Sequence, residues 1–319
     1  MRALAPLLVS LLPFAAAAQD CIDGQRSFDH AAGTSCVPVD PQRIVSLHDQ
    51  NALLPLMELG VVPVASLGHV QADGTRVFRR MDGYDTSEVE WVGSYRGPID
   101  PEAIAAMEPD LIVASPWPPE APEMLGGIAP VVVIDMFEQP LDVALMQFAD
   151  LVNRTEQAEA LQADFAAKAE AVRIDLGAAL QTTTTSFLTY AEEDDQFYPA
   201  NPTQALGMVL RALQPVRPEP EQNLGTQREY RAMETIGAHE ADVMFQLVFD
   251  ADDGGTSDAH QAFTSHPLVE VLPVAQADQI IALNGIAMVG SAWGKAMNGL
   301  DQVAAALTDP TLNRELVVE

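Results

Sequence analysis

Residues Val92 to Val113, VGSYRGPIDPEAIAAMEPDLIV, recur 132 positions later as Leu224 to Phe245, LGTQREYRAMETIGAHEADVMF, and the two copies align without a gap. They share Gly93/Gly225, Arg96/Arg228, Glu102/Glu234, Ile104/Ile236, Ala106/Ala238, Glu108/Glu240 and Asp110/Asp242, seven identities in 22 positions. Each copy reads as a loop with a Gly and an Arg, a short helix opened by an acid, then a β-branched or aromatic run typical of a buried strand. Two such units predict two similar lobes. A chain of 319 residues accommodates them, at roughly 100–200 residues per domain.

The flanks repeat as well. Arg43 to Leu47 reads as a strand, Asn51 to Leu59 as a helix with a Leu/Met face, and Val61 to Leu67 as a second strand, a βαβ unit with parallel strands. A polar excursion, Gln71 to Glu90, carries Arg76, Arg79 and Arg80 before the first copy. After that copy come the Pro-rich loop Ser115 to Glu120 and a buried strand, Val131 to Ile134. Residues Leu141 to Leu180 are nearly pure helix formers, with a break and recap at Asn153-Arg154-Thr155. A helix of about 24 residues there would be about 36 Å long, enough to bridge two lobes. The strand Thr182 to Tyr190, the helix Pro202 to Leu213 and the second copy follow. A polar loop from Asp250 to His260, a strand Gln279 to Leu283, a Gly-containing loop Asn284 to Gly294 and a helix Lys295 to Leu307 complete the chain. Strand, helix, strand, Arg loop, Glu helix and strand are thus expected twice in the same order.

Arg2, the apolar run Leu4 to Phe14 and Ala15 to Ala18 have the layout of a secretory signal, with cleavage expected after Ala18. The mature protein is therefore expected outside the cytoplasm, in the periplasm. Ala18-Gln19-Asp20 lacks the small residues of a lipoprotein processing site, so no lipid anchor is expected. Cys21 and Cys36 are the two cysteines, and in an exported chain they most simply form one disulfide stapling the N-terminal arm. A net charge of −30 argues against nucleic acid or an anionic membrane as partner.

With these elements in order, the chain resembles the exported substrate-binding proteins of ABC importers for ferric siderophores, haem and cobalamin. The matching stretches are RIVSL...LLPLMELGVVPVAS at Arg43 to Ser66, VGSYRGPIDPEAIAAMEPDLIVAS at Val92 to Ser115, the linking helix, and HPLVEVLPVAQADQIIAL at His266 to Leu283. The resemblance implies an α/β fold, with two α/β lobes joined by one long rigid helix and a ligand cleft between them. The expected division is a signal at 1–18, an N-terminal lobe at 19–140, the linking helix at 141–180 and a C-terminal lobe at 181–319. In that family a glutamate on each lobe docks onto arginines of the permease dimer, and Glu102 and Glu234 match those residues by position in the repeat. Two equivalent acids also suit a two-fold partner on physical grounds. Each also serves as an acid in the first turn of a helix.

Ligands of open α/β sheets sit outside the carboxyl ends of the strands, which directs attention to the loops there. Arg96 and Arg228 occupy equivalent loops, and a guanidinium offers planar donors to carboxylate, hydroxamate or catecholate oxygens. Tyr95, Trp117, Phe137, Tyr198, Tyr230 and Trp293 are candidate apolar walls, with Trp117 and Trp293 the leading pair. His48, His69 and His260 offer a direct metal or haem site as a minor reading; their spacing is unlike a local zinc motif, and ordinary polar loop residues are the simpler reading. Some haem-binding relatives use a Tyr in the Tyr95 loop as an iron ligand. The acidic run Glu192 to Asp195 reads as a solvated loop. The expected function is a non-enzymatic, monomeric binding protein without a cofactor. It captures a ferric siderophore, with hydroxamate or carboxylate types favoured by the acidic chain, and delivers it to the ABC importer permease. The alternatives are haem or a corrinoid, and an exported metal-dependent enzyme, for which no G-x-S-x-G, H-E-x-x-H or P-loop is present.

Overall fold

The computed structural model describes residues 21–249 and 257–308. The signal segment and residues 250–256 of the polar loop lie outside the described residues. The chain opens with an antiparallel hairpin, β1 (Gln25–His30) and β2 (Gly33–Pro38), closed at its base by the Cys21–Cys36 disulfide. A first sheet follows: β3 (Ile44–Ser46), β4 (Ala65–Val70), β5 (Arg76–Val77), β6 (Glu90–Ser94), β7 (Leu111–Ala114) and β8 (Val131–Val133). Its order is β5-β4-β3-β7-β8, with β6 also on β4, and all pairings but β4–β5 are parallel. The second sheet contains β9 (Thr185–Ala191), β10 (Gln196–Pro199), β11 (Arg231–Ala232), β12 (Val243–Val248) and β13 (Ile280–Asn284), in the order β11-β10-β9-β12-β13.

The repeat is exact in register. Its helices begin at Pro101 and Met233, and its strands at Leu111 and Val243, each pair 132 positions apart. The shared Asp does the same work twice. Asp110 accepts the backbone N–H groups of Gln42 and Arg43 at 2.7 and 2.9 Å, and Asp242 that of Thr184 at 2.7 Å. Each carboxylate therefore satisfies donors at the entry of the first strand of its lobe. The helices themselves differ. Pro101–Ala105 is an α-helix with Pro at its start and Asp100 accepting from the Glu102 and Ala103 N–H groups, whereas Met233–His239 is 3₁₀ and has Ala232 in the capping place.

The expected second strand of each lobe is displaced. Val61 to Val64 stays irregular because Pro63 has no N–H to give a ladder, and β4 starts at Ala65. In the second lobe Pro215 and Pro218 bracket Val216, which makes one parallel bridge to Thr184 and no strand. The place beside β9 is taken instead by β10, which returns antiparallel after a tight turn through the exposed acids Glu192–Asp194.

Alternate strand residues face opposite sides. Ile44, Leu111, Val113, Val132, Phe187, Val243 and Phe245 share one core that runs through both lobes. Val45, Ile112 and Val133 fill a separate core on the other face of the first sheet, and Leu188 and Met244 one on the other face of the second. The shared core is completed by the helices Leu141–Leu151, Thr155–Leu176, Gln204–Leu213 and Trp293–Leu307. At 22 residues the linking helix Thr155–Leu176 is about 33 Å long.

The lobes are also tied without the linking helix. Glu58, at the end of the helix Leu54–Glu58, accepts the Trp293 and Gly294 N–H groups at 2.8 and 2.7 Å and so caps the helix Trp293–Leu307 from the other lobe. Gln50 O accepts from Ser291 N at 3.1 Å, and Ser291 Oγ lies 3.2 Å from Asn51 Oδ1. Burial raises the Glu58 carboxyl, partly offset by those two N–H groups and Lys295, and burial with Glu58 nearby pushes the Tyr84 phenol up to about 12.

Candidate ligand-binding site

The first half of the site gathers where β3, β4 and β6 end. β6 hands directly into the loop of Tyr95 and Arg96, while β3 leads through Leu47 to His48 and Asp49 at a π-helical turn, Asp49–Leu53. Asp49 is fully buried and grips Arg79: Nε donates to Oδ2 at 2.8 Å, Nη2 to Oδ1 at 2.6 Å, and the Arg79 backbone N–H to Oδ2 at 3.0 Å. The remaining Arg79 nitrogen, Nη1, donates to Tyr95 Oη at 2.9 Å, with the guanidinium carbon 4.1 Å from the Tyr95 ring centre. His48 and His69 pack against the same ring at 4.6 and 5.9 Å, and the Arg96 guanidinium lies 5.5 Å from it.

His48 accepts through one ring nitrogen and keeps its proton on the other. Its Nδ1 accepts the backbone N–H groups of Gln50 and Asn51 at 3.1 and 3.2 Å, which places the ring proton on Nε2. Burial, with Arg79 adding to it and Asp49 opposing it, lowers its pKa to about 4, so the ring is neutral at pH 7. The 3.3 Å approach of Nδ1 to Asp49 Oδ1 is accordingly not an ion pair. His69 is lowered as well, by desolvation and by Arg79 and Arg96.

Tyr95, Arg96 and Trp117 line one recess together with Ile99 and Met124, and Trp117 is 73% exposed there. The second half is a recess among Tyr198, Asn201, Leu206, Arg228, Phe249 and Met288, apolar with a few placed polar groups. Arg228 lies over Tyr198 at 4.5 Å and donates weakly to Tyr230 Oη at 3.4 Å; the two tyrosines meet edge to face at 5.2 Å. Thr226, two residues before Arg228, donates to Glu138 of the first lobe at 3.1 Å, which brings this loop beside Phe137. Neither Arg96 nor Arg228 has a carboxylate partner among the described residues, in a chain of 46 acids and 16 bases.

Two expectations change. Trp293 is fully buried in the shared core at the start of its helix and forms no wall of either recess. The Glu58 cap draws the expected loop residues Trp293 and Gly294 into that helix. His260 lies in the helix Asp258–Thr264, with Nδ1 2.7 Å from Gln246 Oε1, on the element packed beside β12 and apart from His48 and His69. Among the described residues no group of three His, Cys, Asp or Glu is placed to hold a metal ion. Glu102 and Glu234 are both exposed on their short helices. Arg79 was visible in sequence only as one of three arginines in a polar stretch; its partners lie 30 and 16 residues away.

Behind the second half, Glu221 is buried with Ser186 Oγ at 2.6 Å, His239 Nδ1 at 2.7 Å and Arg217 Nη2 at 2.6 Å, while His239 Nε2 lies 2.7 Å from Arg231 Nη1. An arginine nitrogen can only donate, so Nε2 accepts and Nδ1–H donates to Glu221. This network ties β9, the Arg217 loop and the repeat helix to the strand that follows Tyr230.

Comparisons with known proteins agree with this layout. A probable siderophore-binding lipoprotein of Bacillus subtilis, YfiY, is 27% identical over 236 residues, covering 72% of this chain and 70% of that protein. The solved structure of Staphylococcus aureus SirA complexed with staphyloferrin B superposes with a TM-score of 0.71 at 22% identity, over 88% of this chain and 98% of SirA. The triscatecholate siderophore-binding protein FeuA from Bacillus subtilis, complexed with ferri-bacillibactin, gives 0.71 at 18% identity, over 90% of this chain and all of FeuA. The two-lobed fold is the one these proteins share. Residues 67–287 match the family described as periplasmic binding protein, and the chain belongs to that family.

Proposed function

We propose that this protein is an exported, non-enzymatic carrier that binds a ferric siderophore between its lobes and hands it to an ABC importer. The observation that carries the reading is the pair Arg96 and Arg228. They hold equivalent places in the repeat, each lies near a tyrosine ring, and neither is neutralised by a carboxylate among the described residues. Two such guanidiniums suit the oxygen-rich surface of an iron chelate. The relatives named for siderophores support the same ligand class.

Within the class, the net charge of −30 favours hydroxamate or carboxylate chelates over a highly anionic tris-catecholate. Haem is disfavoured by His48, whose Nδ1 lone pair is taken by two backbone N–H groups and whose Nε2 carries the proton. The exposed, equivalent Glu102 and Glu234 suit docking to a two-fold permease, and replacing both by Ala should abolish uptake without changing chelate affinity.

The test is a tryptophan-fluorescence titration with ferric hydroxamates, ferric catecholates, ferric citrate, haemin and cobalamin. Trp117 is exposed beside Arg96 and should report binding as saturable quenching. No saturable quenching by any iron chelate would contradict the reading. A haemin Soret shift that disappears in Tyr95→Phe would replace it with the haem alternative.

A further inference from the structure

Asp49 lines neither half-site recess, yet through Arg79 it fixes Tyr95, which lines one. Its two oxygens take three N–H groups of Arg79 and the Gln50 N–H at 2.9 Å, with the carboxylate fully buried. That leaves Arg79 Nη1 aimed at Tyr95. A guanidinium cannot accept, so Tyr95 Oη is the acceptor of that bond and its own O–H is left to donate elsewhere. Tyr95 Oη makes no other hydrogen bond among the described residues. Beside it, the His48 tautomer presents Nε2–H, and Arg96 presents only donors.

We propose that Asp49 is the positioning residue of the first half-site. Acting through Arg79, it fixes Tyr95 as a hydrogen-bond donor, which joins His48 Nε2–H and the Arg96 guanidinium in a group of three donors. The ligand class that follows is a chelate whose outer surface offers oxygen acceptors and whose iron is already saturated by the chelator. The proposal rests on the siderophore reading above. A buried carboxylate with four hydrogen bonds holds an arginine far more firmly than an exposed ion pair does, because solvent neither screens it nor competes for it.

The experiment is a double-mutant cycle on chelate affinity, measured calorimetrically with the ferric chelate that saturates the wild type. Asp49→Asn should weaken binding about tenfold in the wild-type background, the scale of one hydrogen bond involving a charged group. In the Tyr95→Phe background the same change should cost less than about twofold, because the donor it sets is already gone. Thermal stability should fall alike in both backgrounds. An equal loss of affinity in both backgrounds would mark Asp49 as merely structural and overturn the inference, as would full affinity in Asp49→Asn. If Asp49→Asn fails to fold, Asp49→Asn with Arg79→Leu removes both charges together, and adding Tyr95→Phe to it must then cost no further affinity. A wild type that binds no chelate overturns the siderophore reading and this inference with it; a wild type that binds while Asp49→Asn binds equally overturns the inference alone.

Discussion

The two halves of the site start from the same repeat and are held in opposite ways. In the first lobe, the sheet beside β3 continues through parallel β4 and β6, and Tyr95, next to Arg96, is held by Arg79, itself locked from below by the buried Asp49 carboxylate at 2.6 to 3.0 Å. In the second lobe the corresponding side is an antiparallel edge, β10 and β11. There Arg228 rests on Tyr198 with a single 3.4 Å bond to a Tyr230 that is 51% exposed. One half is preorganised and the other adaptable. A rigid half fixes orientation at little ordering cost, and an adaptable half tolerates differences in chelate shape.

The second half is most vulnerable from behind, at Glu221. Glu221→Ala leaves Arg217 and His239 buried without their acceptor and should cost about 3–5 kcal/mol of stability, read from the denaturant midpoint. Burial alone would raise the Glu221 carboxyl, but His239, Arg217 and Ser186 hold it below the usual glutamate range. Its folded-state pKa is thus depressed, so its contribution is present above the unfolded value of about 4.3 and is lost as pH falls through the lower folded one. A wild-type acid-unfolding curve should therefore flatten in that window in Glu221→Ala. An unchanged curve would show that the network does not hold the second half.

Glu58→Ala should cost less, about 1.5–3 kcal/mol, by leaving two helix N–H groups uncapped between the lobes. The Glu58 sign is opposite to that of Glu221: its folded pKa is raised, so the stability it contributes is fullest below the unfolded pKa and declines as pH rises through the folded one. X-ray scattering should show the wild type changing little in radius of gyration on adding chelate, and Glu58→Ala changing more. A large change in the wild type would mean that the cap and the shared core do not stiffen the pair.

The smallest effect transplants a cap between copies. Asp100→Ala should cost about 1 kcal/mol in the first copy, whereas Ala232→Asp, which places an acid at the equivalent position of the second, should gain up to about the same. Thermal midpoints read both. A loss from Ala232→Asp would show that the 3₁₀ conformation of Met233–His239 is imposed by packing of the buried Met233, Ile236 and His239 and not by the missing cap.

Much of this was legible because it is local or periodic. The repeat carried its helix and strand starts in register, the Asn153–Thr155 break lies where the two helices part, and the shared Asp keeps its role. What escaped is what depends on distant partners. The hairpin Gln25–Pro38 lacks an alternating apolar pattern and is held by pairing and a disulfide. Asp49 lies just before the expected helix Asn51 to Leu59, and nothing near it in the sequence points to Arg79, 30 residues on. Trp293 reads as a loop aromatic until Glu58, 235 residues earlier, caps its helix and buries it. The second strand that the repeated order implies for the second lobe fails for a reason present in the sequence, the prolines on either side of Val216.

In the proposed complex, equivalent arginines on the two lobes grip one chelate. Calorimetric titration of the saturating ferric chelate into the wild type, Arg96→Ala, Arg228→Ala and the double variant tests it directly. One chelate should bind per chain, each single change should weaken it about tenfold or more, and the double variant should lose saturable binding. Binding that survives the double variant at wild-type affinity, or two independent sites that each depend on one arginine, would contradict the account.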